Sequence, residues 1–236
     1  MYYYGFDMTY LVLVLPCIIL SLWASANVNS TFKRYSKQFS SRRITGADAA
    51  RRVLAANGVH GVRIERVSGN LTDHFDPKTN VIRLSDSVHD STSTAAIGVA
   101  CHEAGHAVQY AQAYAPIKLR AAIIPITNIG SKLAMPLILL GLVLSFLGEM
   151  SYFFVYLGIA AFGMSLVFQI VTLPVEFNAS RRAMNAIADS NILTTEEQKG
   201  ARKTLTAAAM TYVAATAVAL AQLLRLIMIF GRRRND

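Results

Sequence analysis

Charge is scarce in this chain. Of its 236 residues only 16% are Asp, Glu, Lys or Arg, whereas 53% are apolar and the mean hydropathy is +0.38. A soluble globular domain carries about a quarter charged residues, so composition excludes an ordinary one. Cysteine is almost absent. Cys17 and Cys101 are the only two, which excludes a disulfide framework. Lys and Arg are missing from Met1 to Asp7. The first apolar run therefore lacks the positive leader of a cleaved signal peptide, although Ala24-Ser25-Ala26 resembles a cleavage site. No inverted repeat is visible and the charges lie mostly outside the apolar runs, which argues against a small-molecule transporter.

What the chain has instead is long uncharged runs. They are Met8 to Ala26, Leu133 to Leu147 with an extension backward past Lys132, Met150 to Val175, and Thr204 to Leu224 running on through Arg225 to Phe230. Runs of this length cross a bilayer as helices. The expected fold class is a mostly α membrane protein with three to four transmembrane helices. The net charge is +9. Lys and Arg gather beside the apolar runs, where they fix orientation and meet anionic lipid, so the bilayer and not nucleic acid is the expected partner. Seven Lys and Arg lie between Lys33 and Arg52, against none before Met8. That bias puts the segment after the first run in the cytoplasm and the Gly148-Glu149-Met150-Ser151 turn outside, as in a multi-pass protein of the cell membrane.

One motif carries chemistry. His102-Glu103-Ala104-Gly105-His106, on a helix, sets two imidazoles at i and i+4 on one face, where both reach one zinc ion. Glu103 then sits beside the metal as a base for a water in the open position. The local sequence is that of a helix of roughly five turns. Asp90-Ser91-Thr92-Ser93-Thr94 offers N-caps, and no Pro occurs from Ala95 to Tyr114. Small Ala104 and Gly105 would allow another element to pack closely. Cys101 points about 100° away from His102 and reads as a small buried residue. Upstream, Thr45 to Ala56 reads as a helix, Val62 to Val67 and Val81 to Leu84 as strands, and Asp76 to Asn80 as a turn. His74 reads as a surface-turn histidine. An edge strand beside the motif helix would let an extended substrate add as a further strand.

Two histidines leave zinc short of a third protein ligand. Glu176 is the best candidate. Pro174 is suited to start a helix with Glu176 in its first turn. The two intervening apolar runs form a hairpin, which returns Glu176 to the membrane face that holds the motif. Glu149, at the far end of that hairpin, would lie about 30 Å away. Glu196 and Glu197 read as a solvated helix start.

His102 to Ala107, Leu173 to Ser180, Leu71 to Pro77 and Thr211 to Ala215 together resemble the YugP-type neutral zinc metallopeptidases of bacterial membranes. The arrangement is also similar to the HtpX-like membrane proteases, in which two spans separate the motif helix from a Glu-x-x-Ala helix bearing the third ligand. That pattern has an acidic or amide residue four after the Glu, where this chain has Ser180. The resemblance implies a gluzincin-type α+β zinc peptidase domain and a single Zn2+ held by His102, His106 and Glu176. Glu103 is then the general base and peptides or proteins, including membrane proteins, the substrates. Tyr212 is the candidate donor to the oxyanion, with Arg181 or Arg182 second. The expected organisation is an N-terminal transmembrane anchor over residues 1–27, a cytoplasmic zincin-like segment over 28–132, a transmembrane hairpin over 133–175, and a third-ligand helix with a C-terminal hydrophobic helix over 176–236. Ala207, Ala208, Ala209, Ala214 and Ala215 suit close packing of the last helix, which is expected to cross incompletely and leave its basic tail inside. Two other readings are a non-catalytic zinc-stabilised membrane adaptor, in which Glu103 has no use, and a site-2-type intramembrane protease. The strand-forming segment, Gln109 and Gln112 argue against the second.

Overall fold

The computed structural model describes residues 8–232. In chain order the elements are α1 (Leu15–Tyr35), entered through a π-helical Tyr10–Val14, then α2 (Gly46–Ala56), β1 (Arg63–Val67), β2 (His74–Asp76), β3 (Val81–Ser85), α3 (Thr94–Ala111), α4 (Ala115–Val143), α5 (Glu149–Asp189) and α6 (Thr195–Arg232). The fold is mostly helical with one small sheet. Four helices, Tyr10–Tyr35, Ala115–Val143, Met150–Asp189 and Thr195–Gly231, are long and apolar enough to cross a membrane. The N-terminal residues before Met8, the basic Arg233 and Arg234, and the side chain of Glu149 lie outside the described residues.

The chain divides into two compact units. One comprises the described residues of Met1–Trp23, Leu119–Leu173 and Tyr212–Asp236. Its α4 and α5 approach through small residues. A Cβ on Gly158 would stand 2.7 Å from the Ala134 carbonyl oxygen, and one on Gly141 2.7 Å from that of Ser151. Ile138, Val155, Ile159, Leu226 and Phe230 form its core. Ile129, Val143 and Phe153 face outward, an apolar exterior that lipid covers and water would not tolerate.

The second unit comprises Ala24–Lys118 and Pro174–Thr211. Thr45 caps α2 by accepting from the Asp48 N–H, and Gly58, at a φ of +65°, lets the chain turn away after it. The sheet order is β1-β3-β2. β1 runs parallel to β3 with Ile64 opposite Ile82, and β2 runs antiparallel with Phe75 opposite Ile82. β3 is central and buried on both faces, as its unbroken Val81-Ile82 start and Leu84 suggest. A turn at Asp76 joins β2 to β3. The Asp76 carboxyl accepts from the Thr79 hydroxyl and the Lys78 N–H, with Arg83 beside it, and these donors hold it down to about 2.

Two sequence expectations need correction. His74 lies on strand β2, not in a surface turn. Three residues between turns carry no period of their own, and β2 exists because β3 offers it an edge. Pro174 starts no helix but sits inside α5. It removes only the bond to the Ile170 carbonyl, and the helix continues on both sides of it. The second apolar run does extend backward past Lys132, and α4 continues to Ala115 across Pro125. Residues 115–132 therefore belong to a membrane-length helix. Lastly, α5 is 41 residues long, or about 60 Å, twice the roughly 30 Å of a hydrocarbon core. Its last part, from Pro174 to Asp189, builds the second unit.

α3 is the axis of that unit. The Ser93 hydroxyl caps it by accepting from the Ala96 N–H at 3.2 Å. Ala95, Ile97, Ala100, Ala104 and Val108 are buried around its circumference. Its glycines set how closely its neighbours come. A Cβ on Gly105 would stand 2.7 Å from the Ala179 carbonyl oxygen on α5, and one on Gly98 3.2 Å from the Ala201 Cα on α6. Gly105→Ala is therefore expected to lower the stability of the purified protein by about 1–3 kcal/mol and to loosen the α3–α5 contact. Gly163→Ala, whose new Cβ meets nothing within 4 Å, serves as control. Thermal unfolding in one detergent compares the two, and equal midpoints would refute this packing account.

Candidate metal centre

The i and i+4 spacing on α3 brings the His102 and His106 rings to a centroid distance of 4.6 Å. Glu176, 2% exposed on α5, closes the third side. Its Oε2 lies 3.2 Å from His102 Nε2 and 3.5 Å from His106 Nε2. The donor atoms of all three lie within 4.8 Å of one another. Zinc bonds of about 2.0–2.2 Å in a tetrahedron separate adjacent ligand atoms by roughly 3.3 Å, so the spacing fits this ion.

The other ring nitrogens are occupied. His102 Nδ1 and the Ser180 hydroxyl are hydrogen-bonded at 3.1 Å, and His106 Nδ1–H donates to Gln109 Oε1 at 3.0 Å. Both rings therefore present Nε2 to Glu176. Such outer contacts fix tautomer and orientation in metal sites. Gln109 is fully buried. Its amide donates onward to the Val175 carbonyl at 2.8 Å and to Asn178 Oδ1 at 3.0 Å. Sequence reasoning used Gln109 only as a sign of a polar helix. Its position three residues after His106 was the available signal for its role.

Two imidazole nitrogens and a carboxylate converge in a buried space, where one cation would satisfy all three. Burial opposes protonation of His106, but its hydrogen bond to Glu176 and the charges of Glu103 and Glu176 outweigh that and raise its pKa. A metal ion satisfies the same demand for the whole cluster. Glu103 is 8% exposed on the same helix and makes no hydrogen bond among the described residues, which leaves its carboxylate free for water. Asp73 accepts from the Ser85 N–H at 2.7 Å and from its hydroxyl. Burial nevertheless raises the Asp73 pKa, and the Glu103 charge adds to the rise. β2, which follows Asp73, also meets α3 through Phe75 and Tyr110, with ring centroids 5.6 Å apart.

The other candidates lie elsewhere. Cys101 is fully buried, and burial pushes its thiol up, as suits an inert side chain. His74 is exposed and donates to the Thr72 carbonyl. His89 pairs with Asp90. Arg182 is bound to Asn178 and Gln112 and stacks over Tyr114. Arg181 lines a cavity between α5 and α6. Tyr212 belongs to the other unit.

A family model described as "Putative neutral zinc metallopeptidase" matches residues 10–231. "Putative membrane protease YugP" of Bacillus subtilis (strain 168) is 44% identical over 229 residues, covering 97% of this chain and all of that protein. No solved structure matches.

The outer contacts are expected to matter to metal affinity separately from the ligands. Ser180→Ala and Gln109→Ala should each weaken zinc binding by about 10–100-fold, and Glu176→Ala by more. Chelator competition on the purified variants measures this. Wild-type affinity in Glu176→Ala would remove it from the ligand set.

Proposed function

The chain belongs to the neutral zinc metallopeptidase family, and we propose that it is a membrane-embedded endopeptidase of the gluzincin type, cutting protein substrates near the cytoplasmic membrane face. The observation that carries this is the convergence of His102, His106 and Glu176 beside an unpaired Glu103. Zinc held there supplies Lewis acidity that brings the pKa of a water toward about 7. Glu103 accepts the proton of the attacking water and returns it to the leaving amine. Ser180 and Gln109 keep the imidazoles aimed. The free side of β2 gives an extended substrate segment a strand to pair with, close to Glu103. Tyr212, with the hydroxyl to donate to the oxyanion, is assigned that role by chemistry alone. The proposed functional division is 1–27, 28–132, 133–175 and 176–236, with the start of α4 from Ala115 counted in the second range and the last helix crossing incompletely.

Glu103→Gln is expected to retain zinc and fold while losing nearly all hydrolysis of a protein substrate, because an amide cannot take the proton. Near wild-type turnover by the purified variant would defeat the mechanism. The adaptor reading, in which this glutamate is idle, predicts instead that neither wild type nor the variant hydrolyses the substrate.

Orientation rests on the Lys and Arg bias. Lys37 and Met150 are both exposed, unlike Ser40 and Ser151, which are buried. A membrane-impermeant thiol reagent on intact cells should label Met150→Cys, and should label Lys37→Cys only after permeabilisation. The reverse pattern would put the site outside.

A further inference from the structure

A cavity of about 490 Å³ lies between α5 and α6 within the second unit, lined by Phe177, Arg181, Met184, Arg202, Thr206 and Met210 among others. On α5 its residues lie about 100° around the helix from Glu176 and its neighbours. It is therefore a different face from the metal cluster, although Ser180 borders both. Its chemistry is graded along the helices. Phe177 and Met210 stand at the ends nearer the apolar stretch of each helix. Phe177 is 45% exposed, while Met184 and Leu205 form a buried floor. Arg181 and Arg202 stand on opposite walls toward the polar end. Neither has a hydrogen bond or ion pair among the described residues, and no carboxylate lines the cavity. Adjacent Arg182, by contrast, is fully engaged.

Two unpaired guanidiniums over an apolar floor match a ligand with an anionic head and an apolar tail. Arg181 lies six residues past Val175, about 9 Å along the helix, at the depth where headgroups border the hydrocarbon. We propose that this cavity seats one anionic phospholipid, its phosphate between Arg181 and Arg202 and its acyl chains along Phe177 and Met210. A free phosphate would use the arginines but has no need of the apolar half. The seat bears on the helix that carries Glu176 and Ser180.

The test uses the full chain in nanodiscs of equimolar phosphatidylcholine and phosphatidylglycerol. The protein is extracted in mild detergent and the retained lipid counted by mass spectrometry. Wild type should keep one phosphatidylglycerol per chain in preference to phosphatidylcholine. Arg181→Gln with Arg202→Gln should lose that preference by about tenfold or more, since each cation near an anionic lipid contributes several-fold. Thr206→Phe, at an exposed wall position, fills the cavity without touching the charges and should also expel the lipid. It decides the matter if the arginine variant fails to fold. Lys203→Gln, exposed but outside the cavity, should behave as wild type. Equal loss in Lys203→Gln, retention in Thr206→Phe, or displacement of the lipid by inorganic phosphate would each overturn the proposal.

Discussion

A tetrahedral cation that keeps one position for water needs three protein donors around one point, and one helix supplies only two of them. His102 and His106 are fixed by the geometry of α3. The third donor depends on how near another backbone can come. Gly105, between the two histidines, is where α5 touches, and its missing Cβ admits the Ala179 carbonyl. That contact places Glu176, one turn earlier on α5, at 3.2 and 3.5 Å from the two imidazoles. A small residue in the motif thus sets the geometry of the candidate metal site through helix spacing.

The two helices are also tied together by polar groups. Gln109 reaches from α3 to Asn178, Asn178 accepts from Arg182, and Arg182 reaches back to Gln112 at the end of α3. Ser180 reaches from α5 to His102. A partly satisfied network of this kind in a buried place would cost stability, whereas a closed one specifies a single register. Outside this network, the carboxylates Glu103, Glu176 and Asp73 would gain from a cation held near them. Metal binding is therefore expected to be part of what holds the unit in one arrangement.

The parts legible in the sequence are those governed by local period. The motif helix, its cap, the four apolar helices and strands β1 and β3 follow from spacing and composition. Glu176 was reached by topology, since a hairpin brings the chain back to the side it left, and α5 does bring it to the histidines. Long-range pairing stayed hidden. β2 is three residues whose only reason to extend is β3, and the parallel match of β1 with β3 cannot be read from either strand. Pro174 reads locally as a helix start, and only the continuity of α5 shows otherwise. Gln109 reads as an ordinary polar residue because its role depends on where an imidazole points, whereas Ser180 stands out only through the resemblance, as a departure from an acidic or amide position, and its hydroxyl still meets His102.

The central claim is that His102, His106 and Glu176 hold one zinc ion, and X-ray absorption at the zinc edge of the purified protein tests it most directly. The account predicts one zinc per chain, with nitrogen and oxygen scatterers only, at about 2.0–2.2 Å. A sulfur scatterer near 2.3 Å, which would bring in a cysteine such as Cys101, or a folded protein that binds no zinc, would contradict it.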